Sequence, residues 1–137
     1  MNVDLNTNYQ KTMDKKFDLI IFADILEHTI HPEKILEYYS TNLLKQKGKI
    51  IISVPNIANW NIRLKLLFGK FDYTKTGILD ETHLKFFTYN SIKKIIPNNC
   101  KIRKELYGAS MLGHIIKIIS FLRNLLATNI ILIVKKK

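Results

Sequence analysis

Five successive apolar or aromatic residues close the segment Phe17–Ala23 (FDLIIFA) and run directly into the polar stretch Asp24–His28 (DILEH). This junction constrains the fold more than any other part of the chain. A short, unbroken apolar run is the pattern of a strand buried on both faces, as in a parallel sheet. Ligands of open α/β sheets bind outside the carboxyl ends of such strands, so Asp24, Glu27 and His28 stand where chemistry is expected. The sixteen residues upstream contain no glycine.

The segment after Thr29 (HPEKILEYYSTNLLKQKG) reads as a helix. Pro32 suits its first position, Glu33 suits its positive end, Ile35, Tyr39 and Leu43 recur at helical spacing, and Gly48 closes it. Lys49–Val54 (KIIISV) is a second buried strand stopped by Pro55-Asn56, which makes a βαβ unit with a right-handed crossover. Ala58–Phe68 predicts a helix with Trp60, Leu64 and Leu67 on one face, ended at Gly69. Residues 69–87 have no steady period, and a loop of that length in a compact domain is usually functional. Thr88 caps a short helix over Ser91–Ile96 that Pro97 stops. Lys101–Tyr107 predicts a weaker strand, Met111–Leu126 a helix and Asn129–Val134 a terminal strand. One α/β sheet domain over residues 1–137 follows.

The formal charge of +11 invites a nucleic-acid reading. Yet 19 of the 22 cations are lysine, and only Arg63, Arg103 and Arg123 offer the bidentate geometry that reads bases and phosphates. With Ile and Asn also abundant, solvated surface lysine is the expectation and nucleic acid is not an expected partner. Cys100 stands alone, so no intrachain disulfide forms, and the polar N-terminus has no apolar core of a signal peptide. Leu106–Val134 is apolar but interrupted by His114, Lys117, Arg123 and Asn129, too short in its uncharged runs to span a bilayer. A cytoplasmic protein is expected, with peripheral membrane contact left open.

FDLIIFADILEH, the GKIIISVPN strand and GILDETHLKFFT, in that order and spacing, resemble the second half of class I S-adenosylmethionine-dependent methyltransferases. The resemblance is to the subgroup that includes the ubiquinone-pathway O-methyltransferases. It covers residues 17–96 most closely. It implies a Rossmann-like methyltransferase sheet truncated at the N-terminus, with strands four to seven present and an antiparallel C-terminal strand pair. Val3-Asp4-Leu5 would then be a remnant of the third strand, with Asp4 toward the adenine and Asp24 and Leu26 also on the cofactor side. The glycine-rich turn that cradles S-adenosylmethionine has no counterpart, since the glycines are 48, 69, 77, 108 and 113. An upstream polypeptide supplying the cofactor half is the implied partner, together with a small-molecule or saccharide-type acceptor methylated on oxygen or nitrogen. The alternative is a non-catalytic module that binds a protein or an anionic surface.

If the strand end turns into helix, Asp24, Glu27 and His28 share one face, at i, i+3 and i+4. With His83 from the long loop they form two carboxylates and two imidazoles, a set suited to a divalent metal. The set resembles the acid-x-x-Glu-His plus distal His ligands of some small-RNA 3′-end and ubiquinone-pathway methyltransferases. Two further uses stand beside it: a metal-free polar site with a His general base, and helix capping alone. Asn56 either orients substrate or is a turn residue after proline. Arg63 either binds a substrate anion or is an exposed helical cation. Tyr73, Phe86 and Phe87 could wall a substrate pocket, but adjacent aromatics point different ways, so at least one of Phe86 and Phe87 is expected in the core. His31, His114 and Cys100 have no partners at ligand or nucleophile spacing.

Overall fold

The computed structural model describes residues 4–10, 15–108 and 123–137. Its sheet runs through β1 (Phe17–Ala23), β2 (Leu44–Pro55), β3 (Cys100–Gly108) and β4 (Asn129–Lys136), in the order β1-β2-β4-β3. β1 and β2 are parallel, whereas β4 runs antiparallel to both β2 and β3. The alternating α/β order and the antiparallel C-terminal pair are as the sequence predicts.

β2 and β4 form the centre because their inward residues face one another in register: Ile50 opposite Val134, Ile52 opposite Leu132, Val54 opposite Ile130. All six are buried. Each such side chain contributes roughly 1.5–3 kcal/mol when taken out of water. Helix α1 (Pro32–Tyr38) brings Ile35 and Leu36 to this layer, and helix α3 (Tyr89–Lys94) brings Ile92. Thr88 caps α3 as predicted, though the helix runs Tyr89–Lys94 rather than Ser91–Ile96: the Thr88 hydroxyl accepts from the Ser91 N–H and the Ser91 hydroxyl accepts from the Thr88 N–H.

Several expectations need correction. The predicted long helix ends at Tyr38, continues as one wider turn over Tyr39–Leu43, and becomes strand at Leu44. Gly48 therefore lies inside β2. Phe17 pairs with Leu44 but Leu19 with Lys49, so the extra β2 residues bulge out through Lys47 at a φ of 63°. A Cβ at Gly48 would sit 2.8 Å from the Leu44 side chain, which is why glycine is needed there. The carbonyls left open by the early helix end accept from the Lys136 ammonium, at Ser40, Thr41 and Leu44.

β1 is not buried on both faces. Leu19 and Ile21 are exposed, and among the described residues no strand pairs with its outer edge. Asp4 and Leu5 form a turn, not a strand: Asp4 carboxylate oxygens accept from the Asn6 N–H and the Thr7 hydroxyl, and its carbonyl accepts from the Asn8 N–H. Val3 lies outside the described residues. Helix α2 (Trp60–Leu67) buries Ile62 and turns Trp60, Leu64 and Leu67 outward, the reverse of the expected face. Of the predicted helix Met111–Leu126, only its last turn, α4 (Arg123–Leu126), lies within the described residues.

Candidate functional site

At the carboxyl end of β1 the chain turns sharply. Asp24 takes a left-handed φ of 50°, and its N–H donates to the Ser53 carbonyl of β2. The single helical turn Leu26–His28 that follows buries Leu26 in the core and sends Glu27 inward. The long loop is then clamped onto this turn, because the Glu27 carbonyl accepts from the N–H groups of both Leu84 and Lys85. That clamp carries His83 to His28, with ring centroids 4.8 Å apart in an edge-to-face arrangement. Together these elements line a cavity of 420 Å³, with Asp24, Pro55, Ile78, Asp80, Thr128 and Asn129 also on its wall.

One ligating atom from each of Glu27, His28 and His83 lies within 4.8 Å of the others. Glu27 is 1 % exposed, and neither carboxylate oxygen has a hydrogen-bond partner among the described residues. Burial penalises its charged form and pushes the carboxyl up to about 7; its own backbone N–H and His28 oppose this, and the nearby Asp24 charge adds to it. The imidazoles are oriented by carbonyls: His28 Nδ1 lies 3.2 Å from the Thr82 oxygen, and His83 Nδ1 lies 3.1 Å from the Ile78 oxygen. A carbonyl can only accept, so each Nδ1 carries the proton. In the neutral rings each Nε2 is then a free lone pair. A ligating histidine that donates its other N–H to a backbone carbonyl is the usual support of a metal site.

Asp24 borders this cavity but is not part of the three-residue cluster. Its Oδ1 accepts from the Ser53 hydroxyl at 2.9 Å and the Asn129 amide at 3.1 Å. Asn56 is 0 % exposed and tied inward: its amide donates to the carbonyls of Asn124 and Ala127, and its Oδ1 accepts from the Ala58 N–H. It holds the chain after β2 to the chain before β4, and is not placed to meet a substrate. Arg63 donates through Nε to the Ala58 carbonyl and lies outside the cavity wall. Tyr73 is exposed, packed edge-to-face on Phe71 and outside the wall. Phe87 is core and Phe86 half-buried. The Leu26 side chain is core, and Asp4 is engaged in its own turn. His31 faces Glu33 at 3.4 Å on the surface. His114 lies outside the described residues.

Sequence reasoning missed Asp80 and Thr82. The Asp80 carboxylate accepts from both the hydroxyl and the N–H of Thr82, which holds it below the usual carboxylate range. The Thr82 hydroxyl also meets His28 Nδ1 at 3.2 Å. The signal was present: Asp-x-Thr directly before His83 is the local turn that Asp and Thr side chains close on their own backbone. The larger groove, 780 Å³ at the outer edge of β3, is lined by Lys93, Lys101, Arg103, Lys104 and Lys137. Its one acid, Glu105, accepts from the Tyr89 hydroxyl, and burial together with this carboxylate pushes the Tyr89 phenol up to about 12. Nothing there is both buried and unpartnered.

A family model described as MetW, methionine biosynthesis protein MetW, matches residues 1–133. No curated protein matches. Among solved structures the chain is similar to a SAM-dependent methyltransferase from Archaeoglobus fulgidus, at 20% identity and a TM-score of 0.54. That likeness covers 94% of this chain and 63% of the other, so this chain spans less than two thirds of that structure's length. At this identity the likeness shows the fold alone, which this chain shares with that structure. Among the described residues no helix is long and apolar enough to cross a membrane.

Proposed function

The chain belongs to the MetW family, and on that footing we propose that it forms the acceptor side of an S-adenosylmethionine-dependent methyltransferase. Its acceptor is a small molecule or saccharide methylated on oxygen or nitrogen. The observation that carries this reading is Glu27: a buried carboxylate with no hydrogen-bond partner among the described residues lies within ligand distance of two imidazoles where strand β1 ends. Such a group is stabilised by a bound cation or by a shared proton, and both serve an acceptor hydroxyl. His28 or His83 Nε2 can take the acceptor proton, and the low-dielectric wall keeps the resulting charge close to Glu27. Glu27, His28 and His83 would hold a divalent metal if one is used, and it would supply Lewis acidity at the acceptor oxygen.

S-adenosylmethionine supplies an electrophilic methyl group when bound. The described residues do not fit it by themselves. Gly48 is packed into a strand, and Gly69, Gly77 and Gly108 stand apart from one another, so no glycine-rich turn lets the backbone approach its methionine end. In this reading the domain is partial, and a further polypeptide stretch supplies that turn beside β1. The resemblance of Asp24–His28 and His83 to ubiquinone-pathway enzymes favours an oxygen acceptor.

The competing reading is a non-catalytic module, favoured by the open β1 edge and the cationic groove beside β3. The two separate in one assay. The chain is produced with the polypeptide encoded immediately upstream and supplied with S-adenosylmethionine labelled in its methyl group and a panel of phenols and sugars. Label entering an acceptor, and lost in His28→Ala, supports the enzyme reading. Binding of S-adenosylmethionine without transfer to any acceptor in the panel favours the module.

A further inference from the structure

Among the described residues, helix α2 and the loop after it carry a dense run of exposed large apolar side chains. Only Ile62 of this helix is buried. Leu67 is 77% exposed and Phe68 71% exposed, with Trp60 and Leu64 beside them at nearly half exposure. Phe71 and Tyr73, also exposed, extend the surface along the loop, their rings 5.6 Å apart. Soluble proteins rarely leave so many large apolar side chains together in water. Interleaved with them are Arg63, Lys65, Lys70 and Lys75, against Asp72 as the single acid of residues 60–75.

Exposed large apolar side chains interspersed with cations, on a short helix and the loop after it, are a composition suited to a membrane interface. We propose that this surface docks onto the headgroup layer of an anionic bilayer, with Leu67 and Phe68 inserted and the four cations at the phosphates. Charge decides between a lipid and a second copy of the chain. A copy carrying a formal +11 would bring cations against cations, whereas an anionic surface neutralises them. Eight residues of helix cannot span a bilayer, so the contact is peripheral. The surface is also continuous with the cavity: Phe71 packs on Phe86 at 5.9 Å, and Phe86 on His83 at 6.2 Å. The docking stands whether or not the cavity transfers methyl groups.

Trp60 is the chain's single tryptophan and sits in this surface, so its emission reports the contact directly. The probe is vesicles of phosphatidylcholine with and without one-third phosphatidylglycerol. The expected result is a blue shift and quenching by brominated lipid with anionic vesicles only. The Leu67→Glu/Phe68→Glu double variant, both sites already in water, keeps its circular dichroism and loses at least about tenfold in affinity. Lys70→Gln weakens binding roughly five-fold. No shift at millimolar lipid, equal binding to phosphatidylcholine alone, or an unaffected double variant each overturns the proposal. So does concentration-dependent self-association that the double variant abolishes, which would assign the surface to a second copy.

Discussion

Asn56 and Glu27 follow the carboxyl ends of neighbouring parallel strands, and both are withdrawn from water. They differ in what meets their polar atoms. Asn56 reaches two carbonyls and one N–H, some seventy residues apart in sequence at the farthest, and stitches β2 to the approach of β4. The Glu27 carboxylate meets no hydrogen-bond partner among the described residues, while its own backbone carbonyl anchors the loop that brings His83 across. A buried polar group with every partner in place is architecture; one without partners, beside two imidazoles, is poised for a ligand. Lys136, satisfied by three carbonyls, belongs with Asn56.

If that contrast is correct, the largest loss of stability belongs to Asn56. Asn56→Ala leaves the Asn124 carbonyl and the Ala58 N–H unmatched and the Ala127 carbonyl with the Asn59 amide alone, at a cost on the order of 3 kcal/mol. A urea midpoint that barely moves would break the comparison from its structural side.

Glu27 gives a different signature, seen in pH rather than in a fixed loss. Its carboxyl is raised from 4.5 to about 7 in the folded chain, so folding takes up a proton between those values. The associated stability is full below about pH 4.5 and is lost as pH rises through 7. It amounts to on the order of 3 kcal/mol at most. Thermal unfolding should therefore show a Tm that falls from pH 5 to pH 7.5, and Glu27→Gln should flatten that window. A fall of equal size in the glutamine variant would assign the dependence to another group.

Lys136→Met should cost about 1.5 kcal/mol, because Ser40, Thr41 and Leu44 lose a charged donor. Chemical denaturation checks it. The smallest effect on stability is expected at Thr82→Val, within about 0.5 kcal/mol since the site is exposed. Divalent-ion affinity in that variant should nevertheless fall by about tenfold, as His28 and Asp80 lose an orienting hydroxyl. Thr82→Val that unfolds the protein would place this loop among the architecture instead.

Much of the architecture was legible locally. The apolar runs that became β1 and β2, the Thr88–Ser91 cap and the aperiodic loop all depend on neighbours within a few residues, and their pattern survives into the fold. The meeting of Glu27, His28 and His83 was legible because both segments carry chemistry-bearing residues at strand and loop ends. What local pattern could not carry was the outcome of distant competition. Leu44 to Gly48 read as helix because its partner strand, which draws it into β2 through a bulge, lies twenty-seven residues earlier, Phe17 against Leu44. The spacing of Trp60, Leu64 and Leu67 is the same whether a helix faces a core or an interface. The remote tie of the Asn59 amide to the Leu126 and Ala127 carbonyls, with Ile62 buried, helps fix which side turns inward. Asn56 looked like a site residue because its partners are equally remote.

The central claim is that Glu27, His28 and His83 form a ligand site rather than a packing defect. Calorimetric titration with Zn²⁺ tests it most directly, since nitrogen and carboxylate donors in this number suit that ion. The account predicts one site per chain, with proton release on binding, lost in both Glu27→Gln and His83→Ala while the fold is retained. A His83→Ala protein that binds Zn²⁺ as tightly as the wild type, or a wild type that binds none, would contradict it.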